Sequence, residues 1–222
     1  MSHKTNASAA RTNMNCVLGR SAMRRILLAL FGGLLAASLV LQPGLSRTPE
    51  NAGPQFTADG KLLRPEGYRR WVFVSSGFGM SYNANAGGNG APAFTNVFVT
   101  PSAYDYFLAN GKWPDKTMFV LEVYGSTSRG SINQHGSYQE NFQGLDVEVK
   151  DESRFPDKWA YFGFSASQEA SQAESPGKND CWNCHDKNAA VEHSFVQFYP
   201  ELLKLAKEKG TIKPTVHLED KK

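Results

Sequence analysis

The residues best suited to chemistry lie together at positions 181–185, Cys181-Trp182-Asn183-Cys184-His185. Two thiols three positions apart on a helical turn lie on the same side of the helix. Both sulfurs can then add to the vinyl groups at one edge of a haem, and the histidine that follows can bind the iron. The motif therefore predicts one covalent haem c, attached through Cys181 and Cys184, with His185 as an iron ligand.

Two other uses of a Cys-x-x-Cys pair fit this chain less well. A structural zinc site needs about four ligands, and the sequence has neither a second Cys-x-x-Cys pair nor two histidines at His-x-x-x-His spacing. A dithiol redox site is expected on a thioredoxin-like βαβ pattern, which this sequence lacks. Haem attachment remains the interpretation that uses all three residues of the motif.

The iron position opposite His185 decides what such a haem could do. An electron carrier needs a second strong ligand there, most often Met or His. We expect Met80 and Met118 to pack in the core. His135 lies in a polar loop, where exposure to solvent is expected and a role as distal base or ligand is the alternative. The remaining histidines after the leader are expected to be structural or exposed, namely His193 and His217. These expectations predict a five-coordinate iron.

The N-terminal residues have the pattern of an export leader. Arg24-Arg25 precede the uncharged apolar run 26–41, which Gln42-Pro43 ends, an order typical of secretory signals. The run has 16 residues, fewer than the roughly 18–20 of a membrane-spanning helix. Residues 1–43 are therefore predicted to be a signal peptide, with an uncleaved N-terminal anchor as the alternative. Met23 would begin a more ordinary signal peptide than the first residue does. We expect export to the periplasm, which agrees with haem attachment after export.

The distribution of charge argues against a nucleic-acid partner. The sequence has 24 Lys and Arg against 21 Asp and Glu, and residues 1–50 hold six of the basic residues and one of the acidic ones. Residues 51–222 are left with 18 basic and 20 acidic residues, a net charge of about −2. A nucleic-acid-binding domain would carry a basic patch. We therefore predict no nucleic-acid partner.

After a linker at 44–60, residues 61–210 are predicted to form one domain. Five stretches have the composition of strands, namely 71–74, 94–100, 117–124, 145–150 and 159–164. The fourth alternates cleanly, with Leu145, Val147 and Val149 on one side and acidic or basic residues on the other. Two glycine-rich stretches, 82–90 and 125–136, are predicted to be loops.

Helices are fewer. One is predicted after Thr100-Pro101 and before Gly111, a second from about Asp180 with the cysteines, and a third from about Pro200 to Lys209. Residues 211–222 are predicted to be a polar tail. The predicted fold class is α+β, with a few helices, including a C-terminal haem-attachment helix, packed on a mainly antiparallel sheet.

The order of these motifs resembles the cytochrome P-460 and cytochrome c′-beta family over about residues 65–200. The residues that carry the resemblance are PEGYRRWVFV at 65–74, the stretch 94–122, GLDVEVKD at 144–151, WAYFGF at 159–164, CWNCHDKNAA at 181–190 and FVQFYP at 195–200. The resemblance implies a mainly antiparallel sheet, a homodimer, and a five-coordinate haem. His185 would be the proximal ligand, and sheet residues would build the distal side.

One position divides that family. The resemblance implies that members oxidising hydroxylamine have a lysine on the third strand, cross-linked to the haem, directly before a glutamate. Leu121 precedes Glu122 here and has no nitrogen to form this bond. Lys112 and Lys116 precede the strand and are poor substitutes. The chain is thus similar to the branch without the cross-link, whose distal pockets are hydrophobic. The candidates for such a lining are Phe94, Phe119, Leu121 and Val147, each with core packing as its alternative.

These features predict a periplasmic haem protein that binds a small gas, nitric oxide first and carbon monoxide second, in an apolar pocket. Such neutral ligands need no hydrogen-bond donor. One alternative is an oxidoreductase acting on hydroxylamine or nitric oxide, with Glu122 or His135 handling protons. Because Glu122 follows Leu121, its side chain is expected on the opposite face of the strand. Another alternative is an electron-transfer cytochrome with a six-coordinate iron and a redox partner protein.

Overall fold

The structure is a computed structural model that describes residues 53–81, 91–174 and 180–218. The predicted leader and the first part of the linker lie outside the described residues, as does the predicted loop at 82–90. Within the described residues, no helix is long and apolar enough to cross a membrane.

The described residues form two antiparallel sheets. Strands β2 to β6 make a five-stranded sheet in which each strand pairs with its neighbours in sequence, and the short strands β1 and β7 pair with each other. The bounds are β1 Leu62–Leu63, β2 Val72–Phe78, β3 Phe94–Val99, β4 Met118–Thr127, β5 Tyr138–Lys150, β6 Trp159–Ser165 and β7 Ala170–Ser171. The five predicted strands are confirmed. β4 ends later and β5 begins earlier than predicted. The two strands therefore form a longer hairpin, and Gly125 lies in a strand and not in a loop.

Three α-helices and two 3-10 turns accompany these strands in the described part of the chain. They are α1 Pro101–Asn110, α2 Asp180–Asn188 and α3 Pro200–Glu208, with 3-10 turns at Tyr68–Arg70 and Val196–Phe198. α1 and α3 both begin at a proline, whose fixed φ suits the first helical turn. α1 ends at Gly111, where φ is 68°, in the left-handed region that favours glycine. The α+β prediction is confirmed.

The two faces of the large sheet are covered by different parts of the chain. The face that packs against α1 and α3 is called the helical face; its buried cluster includes Val97, Val99, Ala103, Phe107, Trp113, Phe119, Leu202 and Ala206. The other is called the opposite face; its buried cluster includes Leu62, Tyr68, Trp71, Met118, Val120, Leu145, Val147, Val149 and Phe162. Both faces of β4 are therefore buried, whereas β5 packs its apolar side chains in the opposite-face cluster and leaves Asp146 exposed on its other face.

The strand register decides which side chains share the helical face. Leu121 of β4 lies between Val97 of β3 and Asp146 of β5, and Glu148 of β5 lies opposite Tyr161 of β6. Side chains of directly opposed residues lie on the same face of a sheet. The acidic half of the β5 alternation therefore shares the helical face with Leu121, and its apolar half packs in the opposite-face cluster.

The first part of the predicted polar tail also contributes to the core. Ile212, Val216 and Leu218 pack against the helical-face cluster. The backbone N–H of Lys213 donates to the carbonyl of Ala190 at 2.8 Å. Apolar side chains interspersed among the charged residues of the tail explain this packing, because each one removes apolar surface from water.

Candidate haem site

Helix α2 carries the Cys-x-x-Cys-His motif along one side of a cavity of about 310 Å³. Cys181, Cys184 and His185 all line this cavity, and both cysteines are free thiols. Its other walls come from the helical face of the sheet and from residues in the stretch 195–199. The two thiols and the imidazole therefore converge on one space between α2 and the sheet.

His185 is held in one tautomer. Its Nδ1 lies 2.6 Å from the backbone carbonyl oxygen of His193. Because a carbonyl can only accept, Nδ1 carries the proton and Nε2 keeps its lone pair. The ring contacts Tyr161 and Phe195, with centroids 4.5 Å and 4.3 Å away. Burial lowers the pKa of His185 to about 4. The side chain is thus a neutral imidazole, as a metal ligand requires.

The four predicted distal residues are divided between the two faces of the sheet. Phe119 and Leu121 line the cavity. Phe94 does not, because it alternates with Thr95 and so lies on the opposite face, with its ring 4.4 Å from that of Phe78. Val147 borders the cavity, but its side chain packs in the opposite-face cluster. Of the four predicted residues, Phe94 is thus the one absent from the lining, and Val147 borders the cavity from the other face, because adjacent residues of a strand point to opposite faces.

Neither residue predicted to handle protons lies at the cavity. Glu122 is 4% exposed and lies on the opposite face. Its carboxylate accepts hydrogen bonds from the Tyr68 hydroxyl at 2.7 Å and from Arg69 Nε at 3.0 Å. The strand alternation after Leu121 predicted this orientation. His135 is exposed in the loop between β4 and β5. Neither residue therefore lies among those that line the cavity.

Two carboxyl groups of β5 that were not among the predicted site residues line the cavity instead, together with that of Glu174. Asp146 lies directly across from Leu121, and Glu148 Oε1 lies 3.4 Å from His185 Nδ1. The second oxygen of Glu148 is buried and has no hydrogen-bond partner among the described residues. Burial raises the pKa of both groups, that of Glu148 to about 8. The alternation of β5 could have indicated these two residues, because it places Asp146 and Glu148 on the same face of the strand.

The comparison with known families agrees with this geometry. The family model for cytochrome P460 matches residues 65–196, more than half of the chain. The chain belongs to the cytochrome P460 family. A search of curated proteins found no match. Membership makes the chain a c-type haem protein, with haem c as its cofactor. The described lining residues of the cavity all fall inside the matched segment, except Phe198 and Tyr199.

The cavity residues fit the haem that the cytochrome P460 family implies. Two free thiols at the spacing of one helical turn can form both thioether bonds, and the neutral imidazole of His185 can bind the iron. The side chains of Val97, Phe119 and Leu121 offer an apolar wall for the porphyrin. The unpartnered oxygen of Glu148 also indicates a space that a further group completes.

The two methionines considered as sixth ligands lie in different surroundings in this cytochrome P460 fold. Met118 is 4% exposed and packs in the opposite-face cluster, as predicted. Met80 lines the cavity and is 44% exposed, so it is not a core residue. Its sulfur occupies space that Gly77 leaves open, since a Cβ on that glycine would lie 2.5 Å from Sδ. Met80 is therefore the methionine whose ligand role needs an experiment.

The two remaining histidines, His193 and His217, were expected to be structural or exposed, and their surroundings are of that kind. His193 Nδ1 is 3.1 Å from the Tyr161 hydroxyl, and its ring stacks on Trp159 with centroids 6.0 Å apart. Its role is structural. His217 is exposed.

Proposed function

We propose that this protein is an exported c-type cytochrome whose single covalent haem binds small neutral gases, nitric oxide before carbon monoxide. The observation that carries the proposal is the composition of the cavity wall, which combines an apolar surface from β3 and β4 with the carboxyl groups of Asp146 and Glu148 on β5. When bound through Cys181, Cys184 and His185, the haem would supply an iron able to take up a diatomic ligand. The surrounding side chains select which ligand enters.

The selection follows from polarity and charge. Val97, Phe119 and Leu121 present carbon atoms that cannot hydrogen-bond to an anion or to bound oxygen. The carboxylate of Asp146 disfavours a second negative charge in the same space, whereas Glu148, with its pKa raised to about 8, is mostly uncharged at neutral pH. Nitric oxide and carbon monoxide are uncharged, so they need no hydrogen-bond donor and are not repelled by a carboxylate. The cavity is thus lined by apolar and acidic side chains, whereas the sequence predicted an apolar pocket.

Covalent attachment is the first prediction. In a host that attaches haem, the protein should show the polypeptide mass plus one haem in denaturing mass spectrometry. A Cys181→Ala/Cys184→Ala variant should show the polypeptide alone, because both carbon–sulfur bonds are lost. Asn183→Ala is the matched control, since it changes the motif and keeps both thiols. Haem that extracts from the unmodified protein into acidic acetone would contradict the prediction.

The second prediction concerns the sixth iron position. Absorption spectra of the oxidised and reduced protein should be those of a five-coordinate, high-spin haem. Met80→Leu should leave them unchanged, as should the control Met118→Leu, because Met118 packs on the opposite face. A low-spin spectrum that Met80→Leu, but not Met118→Leu, converts to high-spin would identify Met80 as a ligand. That outcome would favour the electron-transfer alternative.

A specific observation favours one second candidate function, oxidation of hydroxylamine or nitric oxide. Asp146 lies at the cavity, across from Leu121, where a carboxylate could accept a proton from a bound substrate. For this alternative function Asp146 is the proposed proton acceptor, since it lines the cavity and Glu122 and His135 do not. The periplasmic location, the homodimer and a redox partner protein stay predictions that rest on the leader and the family.

A further inference from the structure

The backbone carbonyl that accepts the proton of His185 belongs to a tight turn after α2. Val191 and Ser194 form an isolated antiparallel bridge that closes this turn, with Ser194 N–H donating to the Val191 carbonyl at 2.9 Å. The Ser194 hydroxyl donates to the same carbonyl at 2.9 Å. His193 lies inside the bridge. The position of its carbonyl oxygen therefore depends on how the turn is held.

The turn contains a residue in an unfavourable backbone conformation. Glu192 has a φ of 52°, in the left-handed region that residues other than glycine rarely adopt. Such a conformation persists only where surrounding contacts hold it. One of these contacts is an ion pair, because Lys150 Nζ lies 3.1 Å and 3.2 Å from the two carboxylate oxygens of Glu192.

Lys150 is itself tied to the sheet. It is the last residue of β5, is 6% exposed, and donates a hydrogen bond of 2.7 Å to the backbone carbonyl of Trp113. Its ammonium group lies 5.9 Å from the ring centre of Trp159, the ring on which His193 stacks. A second carboxylate, that of Glu152, is 3.5 Å away. The lysine thus joins the strand that carries Asp146 and Glu148 to the turn that contacts His185.

We propose that the Lys150–Glu192 ion pair is a positioning device for the proximal haem ligand. It holds the His193 carbonyl against Nδ1 of His185 and so sets how strongly the imidazole donates electrons to iron. A strong hydrogen bond at Nδ1 makes the other nitrogen more basic. A more basic ligand strengthens the iron–nitrogen bond and stabilises ferric iron, which lowers the reduction potential. The inference deepens the proposed function and requires only that haem binds at His185.

The test uses the full-length haem protein in its ferrous form with no gas added. Resonance Raman spectroscopy gives the iron–histidine stretching frequency, and a redox titration gives the reduction potential. Glu192→Gln removes the charge and keeps the shape of the side chain. Glu192→Gly removes the carboxylate but suits the backbone conformation, so it separates the ion pair from backbone strain. Lys150→Met removes the other partner.

The chain offers a matched control in Lys116, which pairs with the buried carboxylate of Asp151 and has a φ of 64°. Like Glu192, it is a charged residue that has a left-handed backbone conformation and forms an ion pair. Its partners are Asp115, Asp151 and Ser153, none of which belongs to the turn after α2. Lys116→Met therefore removes a comparable ion pair without changing any residue of the turn after α2.

The two Glu192 variants should lower the iron–histidine frequency and raise the reduction potential, and Lys150→Met should do the same if it folds. Lys116→Met should match the unmodified protein in both. Unchanged values in Glu192→Gln and Glu192→Gly would overturn the inference. An equal shift in Lys116→Met would also overturn it, by showing a general loosening of the fold. Because no gas is bound, failure here is distinguishable from failure of the gas-binding proposal.

Discussion

The unmodified protein should bind nitric oxide stably and oxidise hydroxylamine little or not at all. Leu121 lines the cavity at the place where the family resemblance implies a cross-linking lysine in members that oxidise hydroxylamine. A leucine cannot form a bond that would alter the electronics of the macrocycle, one of the few means by which a protein tunes a haem. Steady-state hydroxylamine oxidation with a chemical electron acceptor measures this directly.

Leu121→Lys should change that result. The new amine would lie across from Asp146, whose carboxyl group can take up its proton, and it would point into the cavity. With hydrogen peroxide added as the two-electron oxidant, we expect the amine nitrogen to replace one hydrogen at the porphyrin edge. The resulting covalent lysine–haem link would be seen as an altered absorption spectrum and a link that survives digestion. We also expect turnover at least about tenfold above the unmodified protein, which corresponds to about 1.4 kcal/mol of barrier.

Val123→Lys is the matched control, because Val123 shares the strand and face of Leu121 but is not among the residues that line the cavity. It should gain neither the link nor the turnover. Robust turnover by the unmodified protein would replace gas binding with the oxidoreductase as the preferred function. A Leu121→Lys variant with an unchanged spectrum would show that position 121 does not reach the haem.

Asp146→Asn should raise the affinity of the ferric protein for azide and cyanide by about tenfold or more. A carboxylate in a partly dehydrated pocket repels an anion, and removing a repulsion of about 1.4 kcal/mol gives a factor of ten. The affinity of the ferrous protein for carbon monoxide should change by less than about twofold, since that ligand carries no charge. Spectroscopic titrations of both forms provide the measurement.

The control for the Asp146→Asn prediction is Asp157→Asn, which removes a carboxylate from a position between β5 and β6 that does not line the cavity. It changes the net charge by the same amount and should leave anion binding as it is. Equal anion affinity in Asp146→Asn and the unmodified protein would show that the carboxyl group does not act on the ligand. The acidic part of the proposed selectivity would then be wrong.

The sequence alone determined those features that depend on residues close together in the chain. The placement of Cys181, Cys184 and His185 on one helix follows from the spacing of their side chains along a helical turn. The bounds of α1 follow from Pro101 and Gly111, since each acts on the backbone next to it. Glu122 was expected to point away from Leu121 for the same local reason, and it does.

The tertiary structure decided which side of each strand faces the cavity. The alternation of β5 places Asp146 and Val147 on opposite faces, but it does not say which face holds the site. Apolar side chains usually identify the buried face of a sheet. In β5 the apolar side chains do mark the buried face, but the cavity lies against the acidic face, so Val147 was selected where Asp146 belongs. The pairing of Asp146 with Leu121, 25 positions apart in the chain, places Asp146 on the face that borders the cavity.

The surroundings of His185 were likewise beyond the sequence. The turn that accepts its proton is held by Lys150, which is 42 positions from Glu192 along the chain. No spacing rule connects two such residues, because their contact depends on where β5 ends and on how the turn after α2 packs against it. Hydrogen bonds within a helix or turn follow from the local backbone, and those between distant segments exist only once the whole sheet has its register.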